Sequence, residues 1–544
     1  MFKFNMQLYL LLLLSVIISQ ACSNELSGEG SIDGDYGNDG DNSSDTDTDI
    51  DSDNSADLNL DSESGNGYVP PEVEKRFDYR VPVSSGKYVF IADKENDTVV
   101  AVNSETLVIN LTDVGASPTH IVPINDNGSI AVLSVDSNEV SLLSMNDKGV
   151  ARVTVVDVRA DTNALAVSPS GRYIIAFWDG LFKNESTNNQ TDQDITIIDT
   201  QSSKKTAHNM IVGIHPLKII FNKDETSAFA VTQEGVNIIN LKKLSTEFMP
   251  KSVALFDYTI VDQTKTEIAI DPSGTIAIGR QEESKDITVA WLDGSDKIRR
   301  YTLNAIPTDI DISNNGLFGM FTSRFGKQVA LFNLPLPDDE TEDPFKYVDI
   351  GETVAGAATI SNDDKKVALY TTVGDVDRNI VTILTQKDSK WIVKHSVLSR
   401  NVSAVICAPD SKSLIAVHNK LNATELSTGS SNKKYSYSLI KLPDLQTKFQ
   451  QTDMKPEQIL LTPDGDYAYL IFADKSINII NLNSFIVDSI LLGSVPVIAG
   501  YASLTNKIFI AQKHPSGRMS FMNTNGTGIK TVTGYTLNDD SEDF

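Results

Sequence analysis

A short turn of the form Ser/Asp/Thr-Pro-Ser/Asp-Gly, set between two apolar runs, returns throughout this chain. Clear copies are Leu165-Ala-Val-Ser-Pro-Ser-Gly171, Ile268-Ala-Ile-Asp-Pro-Ser-Gly274 and Ile459-Leu-Leu-Thr-Pro-Asp-Gly465. Looser copies are Ile219-Ile-Phe-Asn-Lys-Asp-Glu225, Ile310-Asp-Ile-Ser-Asn-Asn-Gly316, Ala358-Thr-Ile-Ser-Asn-Asp-Asp364 and Val405-Ile-Cys-Ala-Pro-Asp-Ser411. Pro presets φ at the second turn position, and Gly or Asp tolerates the closing one. Aligned on that Pro, the turns fall at 84, 126, 169, 223, 272, 314, 362, 409, 463 and 504. Their mean spacing is about 47 residues, within the range of propeller blades.

Each unit holds four short β-branched runs. Tyr467-Ala-Tyr-Leu-Ile471 follows its turn, then come Ile477-Asn-Ile-Ile-Asn481 and Phe485-Ile-Val-Asp-Ser-Ile-Leu491. No stretch keeps a helical period, so the pattern predicts an all-β chain, a β-propeller of four-stranded blades. About ten repeat units are counted, the first and last being the loosest. Seven to eight blades is the alternative, if end units form a second arc or an insert is taken for a blade.

The pattern Ser/Asp/Thr-Pro-Ser/Asp-Gly, then Tyr, then Val/Ile-x-Val/Ile-Ile-Asp/Asn resembles the YVTN-type propellers of secreted bacterial and archaeal proteins. The resemblance spans roughly residues 80–537 and implies fold rather than activity. The motif Tyr-Val-Thr-Asn itself is absent, and Lys87-Tyr-Val-Phe-Ile-Ala-Asp93 is among its nearest forms. Seven blades are usual in that family.

The N-terminus carries Lys3, an apolar run from Leu8 to Ile18, then Ser19-Gln20-Ala21-Cys22. This is the layout of a secretory signal, too short for a comfortable membrane span. Ala21-Cys22 resembles the lipobox of bacterial lipoproteins, although Ser19 and Gln20 replace its usual Leu and small residue. The resemblance implies lipidation at Cys22 and, with Ser23 following, a place at the outer membrane. Residues 23–68 then hold 14 acids and no Lys or Arg. Such composition cannot bury enough apolar surface to fold, so a disordered acidic linker is expected. The alternation from Asp45 to Asp53 admits weak calcium binding at most, because an EF-hand also needs Gly and Glu where Ile50 and Ala56 stand. The expected organisation is a signal peptide over 1–22, the linker over 23–74 and the propeller over 75–544.

The whole chain has 544 residues and a net charge of −27, from 46 Lys+Arg against 73 Asp+Glu. That balance argues against a general nucleic-acid surface. Half of the excess acidity belongs to the linker. Haem-attachment, zinc-protease, nucleophile-elbow and Walker motifs are all absent, so no catalytic residue and no metal ligand is assigned. Cys407 sits in an apolar run and reads as a packing residue.

In a propeller, the loops after the second and fourth strands emerge on one face. The long insertions of this chain mostly follow second strands, which points to Trp178, Asp179, Arg280, Arg324, Asp375, Arg378, His418, His514 and Arg518 as binding contacts. The functional expectation is a lipid-anchored protein of the cell envelope, periplasmic or surface-facing, that binds a protein, peptide or glycan without a cofactor. The alternative is a propeller enzyme, a metal-dependent lactonase or lyase or a cofactor-dependent oxidoreductase. A third reading is a surface-layer or adhesion component.

Overall fold

The computed structural model describes residues 82–535 apart from 147, 180–192, 203–204, 233, 245–248, 257–265, 338–341, 375–376, 389 and 422–433. Cys22, the acidic stretch with its calcium reading, and the expected domain boundaries at 22 and 74 lie outside the described residues. The described residues form forty strands in ten four-stranded antiparallel sheets, each in chain order. Blades 1 to 10 run over Val83–Asp113, Pro118–Asp157, Ala164–Ile211, Lys218–Ala254, Thr266–Thr302, Asp309–Asp349, Ala357–Val397, Val402–Thr452, Pro456–Leu491 and Pro496–Thr533. All ten turns counted in the sequence are blades, including the two loosest, so the ring is larger than the seven or eight of the alternative.

A blade has two apolar faces, and each is buried only against its neighbour. Ten hydrophobic clusters result, one between each pair of consecutive blades. In one, Ile276, Ile278 and Val289 of blade 5 meet Phe321, Phe332 and Phe345 of blade 6. The tenth joins Val89, Val100 and Val102 of blade 1 to Ile498, Phe509 and Phe521 of blade 10 and closes the ring. Among the described residues, no strand from one end of the chain completes a blade at the other. Side chains secure the seam instead: Ser84 Oγ donates to the Tyr501 carbonyl at 2.6 Å and the Ser104 and Thr505 hydroxyls pair at 2.8 Å, while Ser503 Oγ of blade 10 reaches Asp126 Oδ2 of blade 2 at 2.5 Å.

The turn between the first two strands has a left-handed residue in all ten blades. Six are glycines, Gly86, Gly128, Gly171, Gly274, Gly316 and Gly465, and four are Glu225, Asp364, Ser411 and Asn506. At Gly171 a Cβ would lie 2.2 Å from the Ile124 carbonyl of the preceding blade, so only glycine fits there. Three of the four side chains fasten neighbouring turns. Asp364 of blade 7 accepts from the Asn314 and Asn315 amides of blade 6 at 2.8 and 3.0 Å. Glu225 of blade 4 accepts from Ser168 Oγ and Ser170 Oγ of blade 3 at 3.2 and 2.5 Å. In blade 8, Ser411 Oγ accepts from the Asp363 amide at 3.1 Å.

A second device works farther out on the same face. Cations on outermost strands reach the next blade's turn between its third and fourth strands. Lys251 Nζ donates to the Gly294 carbonyl at 2.6 Å, Arg299 Nη1 to Pro337 at 2.7 Å, Lys394 Nζ to Pro443 at 3.3 Å and Lys448 Nζ to Phe485 at 2.7 Å. One face is therefore stitched at both radii.

Replacing Asp364 by Ala leaves two backbone amides without their acceptor and keeps a residue at φ 54°. The expected loss is about 2–3 kcal/mol, read as a lower urea midpoint. An unchanged midpoint would show that the stitching is energetically idle.

Candidate functional site

The opposite face carries the connections after second and fourth strands, and on it lies a cleft of about 390 Å³ at blade 6. Its floor is apolar: Leu303 and Pro307 from the connection out of blade 5, with Phe321 and the Tyr347 ring from blade 6. Ser323, Phe325, Lys327 and Glu352 form the walls. Phe325 is 61% exposed, in the five-residue connection 323–327, between Arg324 and Gly326. The guanidinium carbon of Arg324 sits 6.0 Å from the centre of its ring.

Hydrogen bonds fix the chain around the cleft. The Asn304 amide donates to Tyr347 Oη at 3.3 Å, and Ser323 bridges Ala355 as an isolated antiparallel pair. Thr308 Oγ1 and Thr322 Oγ1 both donate to the Gly356 carbonyl, at 2.6 and 3.0 Å. Asp309 Oδ2 accepts from the Ala358 amide at 2.7 Å. Beneath the floor Phe321, Phe332 and Phe345 stack with centroids 5.5–6.0 Å apart. The cleft is a half-apolar recess with an exposed ion pair, Lys327 to Glu352, at its mouth. Its volume is at the low end of small-ligand pockets and fits a single side chain or ring.

The sequence-derived contacts separate in the structure. Arg324 flanks the cleft, and Arg378 is half-buried in the corresponding loop of blade 7, where its carbonyl accepts from the Val402 amide at 2.7 Å. Asp375 lies outside the described residues. Trp178 stacks on His215 at 5.6 Å, on blade 3, and the Asp179 amide donates to Asn163 Oδ1 at 2.6 Å. His514 accepts through Nδ1 from the Ser516 amide at 3.2 Å on blade 10. Neither Trp178 nor His514 lines the cleft.

Three of the nine belong to strands rather than loops. Arg280 is in the second strand of blade 5, with Nε 2.5 Å from Glu267 Oε2. Arg518 opens the third strand of blade 10 and packs against Gly493. His418 ends the second strand of blade 8 and is only 3% exposed. In sequence alone two insertions start one or two residues early, at Arg280 and His418, and one ends a residue late, at Arg518, because a polar residue at a strand end reads as loop.

His418 is a packed histidine with both ring nitrogens used. Nδ1 donates to the Asn401 carbonyl at 3.2 Å, so in the neutral ring Nε2 accepts from Ser438 Oγ at 2.8 Å. Burial, against that carbonyl contact and with the Arg400 charge adding to it, pushes the imidazole down to about 4. Cys407 is buried as well, and burial pushes its thiol up to about 12, which leaves it unreactive in the folded chain. Among the described residues no group of three or more His, Cys, Asp or Glu is placed to hold a metal ion.

Sequence reading missed Phe325, Tyr347 and Asn304. A usable signal existed for the first, since a large apolar residue in a polar turn has no strand face to hide on.

No protein-family model matches the chain, and no curated protein matches it. Solved structures do. A structure of the dihydro-heme d1 dehydrogenase NirN in complex with DHE shares 11% identity over 76% of each chain, with a TM-score of 0.42. A eukaryotic initiation factor shares 12% identity over 80% of this chain and 94% of its own, at 0.43. Hydrazine synthase from Kuenenia stuttgartiensis shares 13% over 58% of this chain and 95% of its own, at 0.33. At these identities the likeness is one of fold.

A histidine held below its unfolded value of about 6.5 contributes stability that is full above that pH. The contribution drains as the pH falls toward 4, because only the unfolded chain takes the proton. It is on the order of 3 kcal/mol. His418→Gln is expected to flatten this part of the stability profile between pH 6.5 and 4, measured against the parent by urea unfolding. Parallel profiles would refute the assignment.

Proposed function

We propose that this chain is a lipid-anchored protein of the cell envelope whose propeller is a non-enzymatic binding module. It grips a protein, peptide or glycan of the envelope by inserting one apolar group of the partner into the blade 6 cleft. The observation that carries this reading is the asymmetry of the two faces. One is stitched at two radii; the other bears the two longest connections, 178–193 and 419–434, a preformed recess and an exposed Phe325 beside it. Large aromatic residues beside a desolvated pocket are where binding energy concentrates. The signal-like N-terminus and Cys22 support the anchor, and acidic residues 23–68 supply length between anchor and propeller.

Two measurements test the reading separately. Cys22→Ser is expected to move the protein from the membrane to the soluble fraction and to abolish incorporation of labelled palmitate; retention of both label and membrane association would exclude this anchor. For the module, a pull-down from solubilised envelope with Phe325→Ala is expected to recover at least about tenfold less partner than the parent, with an unchanged melting temperature. Equal recovery would remove the cleft from the function.

A further inference from the structure

The loop face is electrically divided. Among the described residues of its connections, those between 94 and 308, on blades 1 to 5, carry three cations and eight carboxylates. Those between 323 and 517, on blades 6 to 10, carry nine cations and four carboxylates. Arg324, Arg378, Arg400, Lys420, Lys455 and Lys475 belong to the basic half. This excess stands out in a chain whose net charge is −27.

We infer that the basic half of the loop face is the docking surface for the chain's own acidic segment, residues 23–68. Three observations lead there. The segment holds 14 acids and no cation, so it complements blades 6 to 10 and is repelled by blades 1 to 5. Topology delivers it to the right place, because Val83 begins the innermost strand of blade 1 and that strand starts on the loop face, beside the channel. Residues 69–82 span at most about 45–50 Å when extended, and the 46 residues of the acidic segment itself add to that reach.

Tethering makes the contact intramolecular, with an effective concentration in the millimolar range. Individually weak, screened charge contacts are then sufficient, and they weaken as salt rises. The blade 6 cleft lies at the edge of this half, so a docked segment shares the face with any partner of the cleft. An external acidic ligand meets an occupied surface and must displace the segment.

The test uses full-length protein and a fluorescein-labelled synthetic peptide of residues 40–64, which holds nine acids. The comparison variant carries Asp45→Asn, Asp47→Asn, Asp49→Asn, Asp51→Asn and Asp53→Asn. At low salt the peptide is expected to bind this variant about tenfold more tightly than the parent, whose own segment competes, and to lose affinity as salt is added. Adding Arg324→Gln, Arg378→Gln and Lys420→Gln to the variant is expected to weaken the peptide about tenfold, at an unchanged melting temperature. If that combination fails to fold, Lys420→Gln, Lys455→Gln and Lys475→Gln, all on exposed side chains, replace it. Equal affinity for parent and variant, or binding indifferent to the changes on blades 6 to 9, overturns the inference. No envelope partner enters this measurement, so its outcome is independent of the pull-down.

Discussion

A four-stranded blade cannot hide either of its faces by itself, and every other feature of this molecule follows from that. Both faces of the middle strands are apolar: Val89 and Val100 of blade 1 turn toward blade 10, while Phe90 and Val99 turn toward blade 2. Fully burying a side chain of this size is worth about 1.5–3 kcal/mol. An unclosed stack would leave two such faces in water, at its two ends. Closure converts them into a tenth interface equivalent to the other nine. The protein thus has ten separate cores and none shared by the whole ring.

Separate cores need alignment, and the turns supply it. A left-handed residue at the same position of every blade brings each turn against the preceding one, and Asp364, Glu225 and Ser411 exploit that approach with hydrogen bonds. Lys and Arg side chains repeat the arrangement at the outer wall. Chain length varies most on the opposite face. The two longest connections, 178–193 and 419–434, the recess at Phe325 and the division of charge occur there.

Much of this was legible in the chain. Pro169, Pro272 and Pro463 mark turns whose chemistry is local, and local chemistry repeats visibly. The spacing of about 47 residues then fixes strands per unit and number of units. What could not be read depends on residues brought together from adjacent units. Glu225 looks like an ordinary turn residue until Ser168 and Ser170, more than fifty positions away, are placed beneath it. His418 looked like a rim residue because nothing near it in sequence announces Ser438 and Asn401 as partners. The cleft likewise takes its floor from two blades, and its position was invisible although Phe325 itself was in plain view.

Closure without a shared strand also bears on how such a ring arises. Each blade is one continuous stretch of chain, and the seam between blades 10 and 1 is held by the same face packing as any other junction. Duplicating or deleting one unit therefore requires no rethreading, only a small change in the angle between neighbours. A ring of ten is within reach of gene-level copying of whole units. Circular permutation follows the same logic, since the break in the chain coincides with an ordinary boundary between blades.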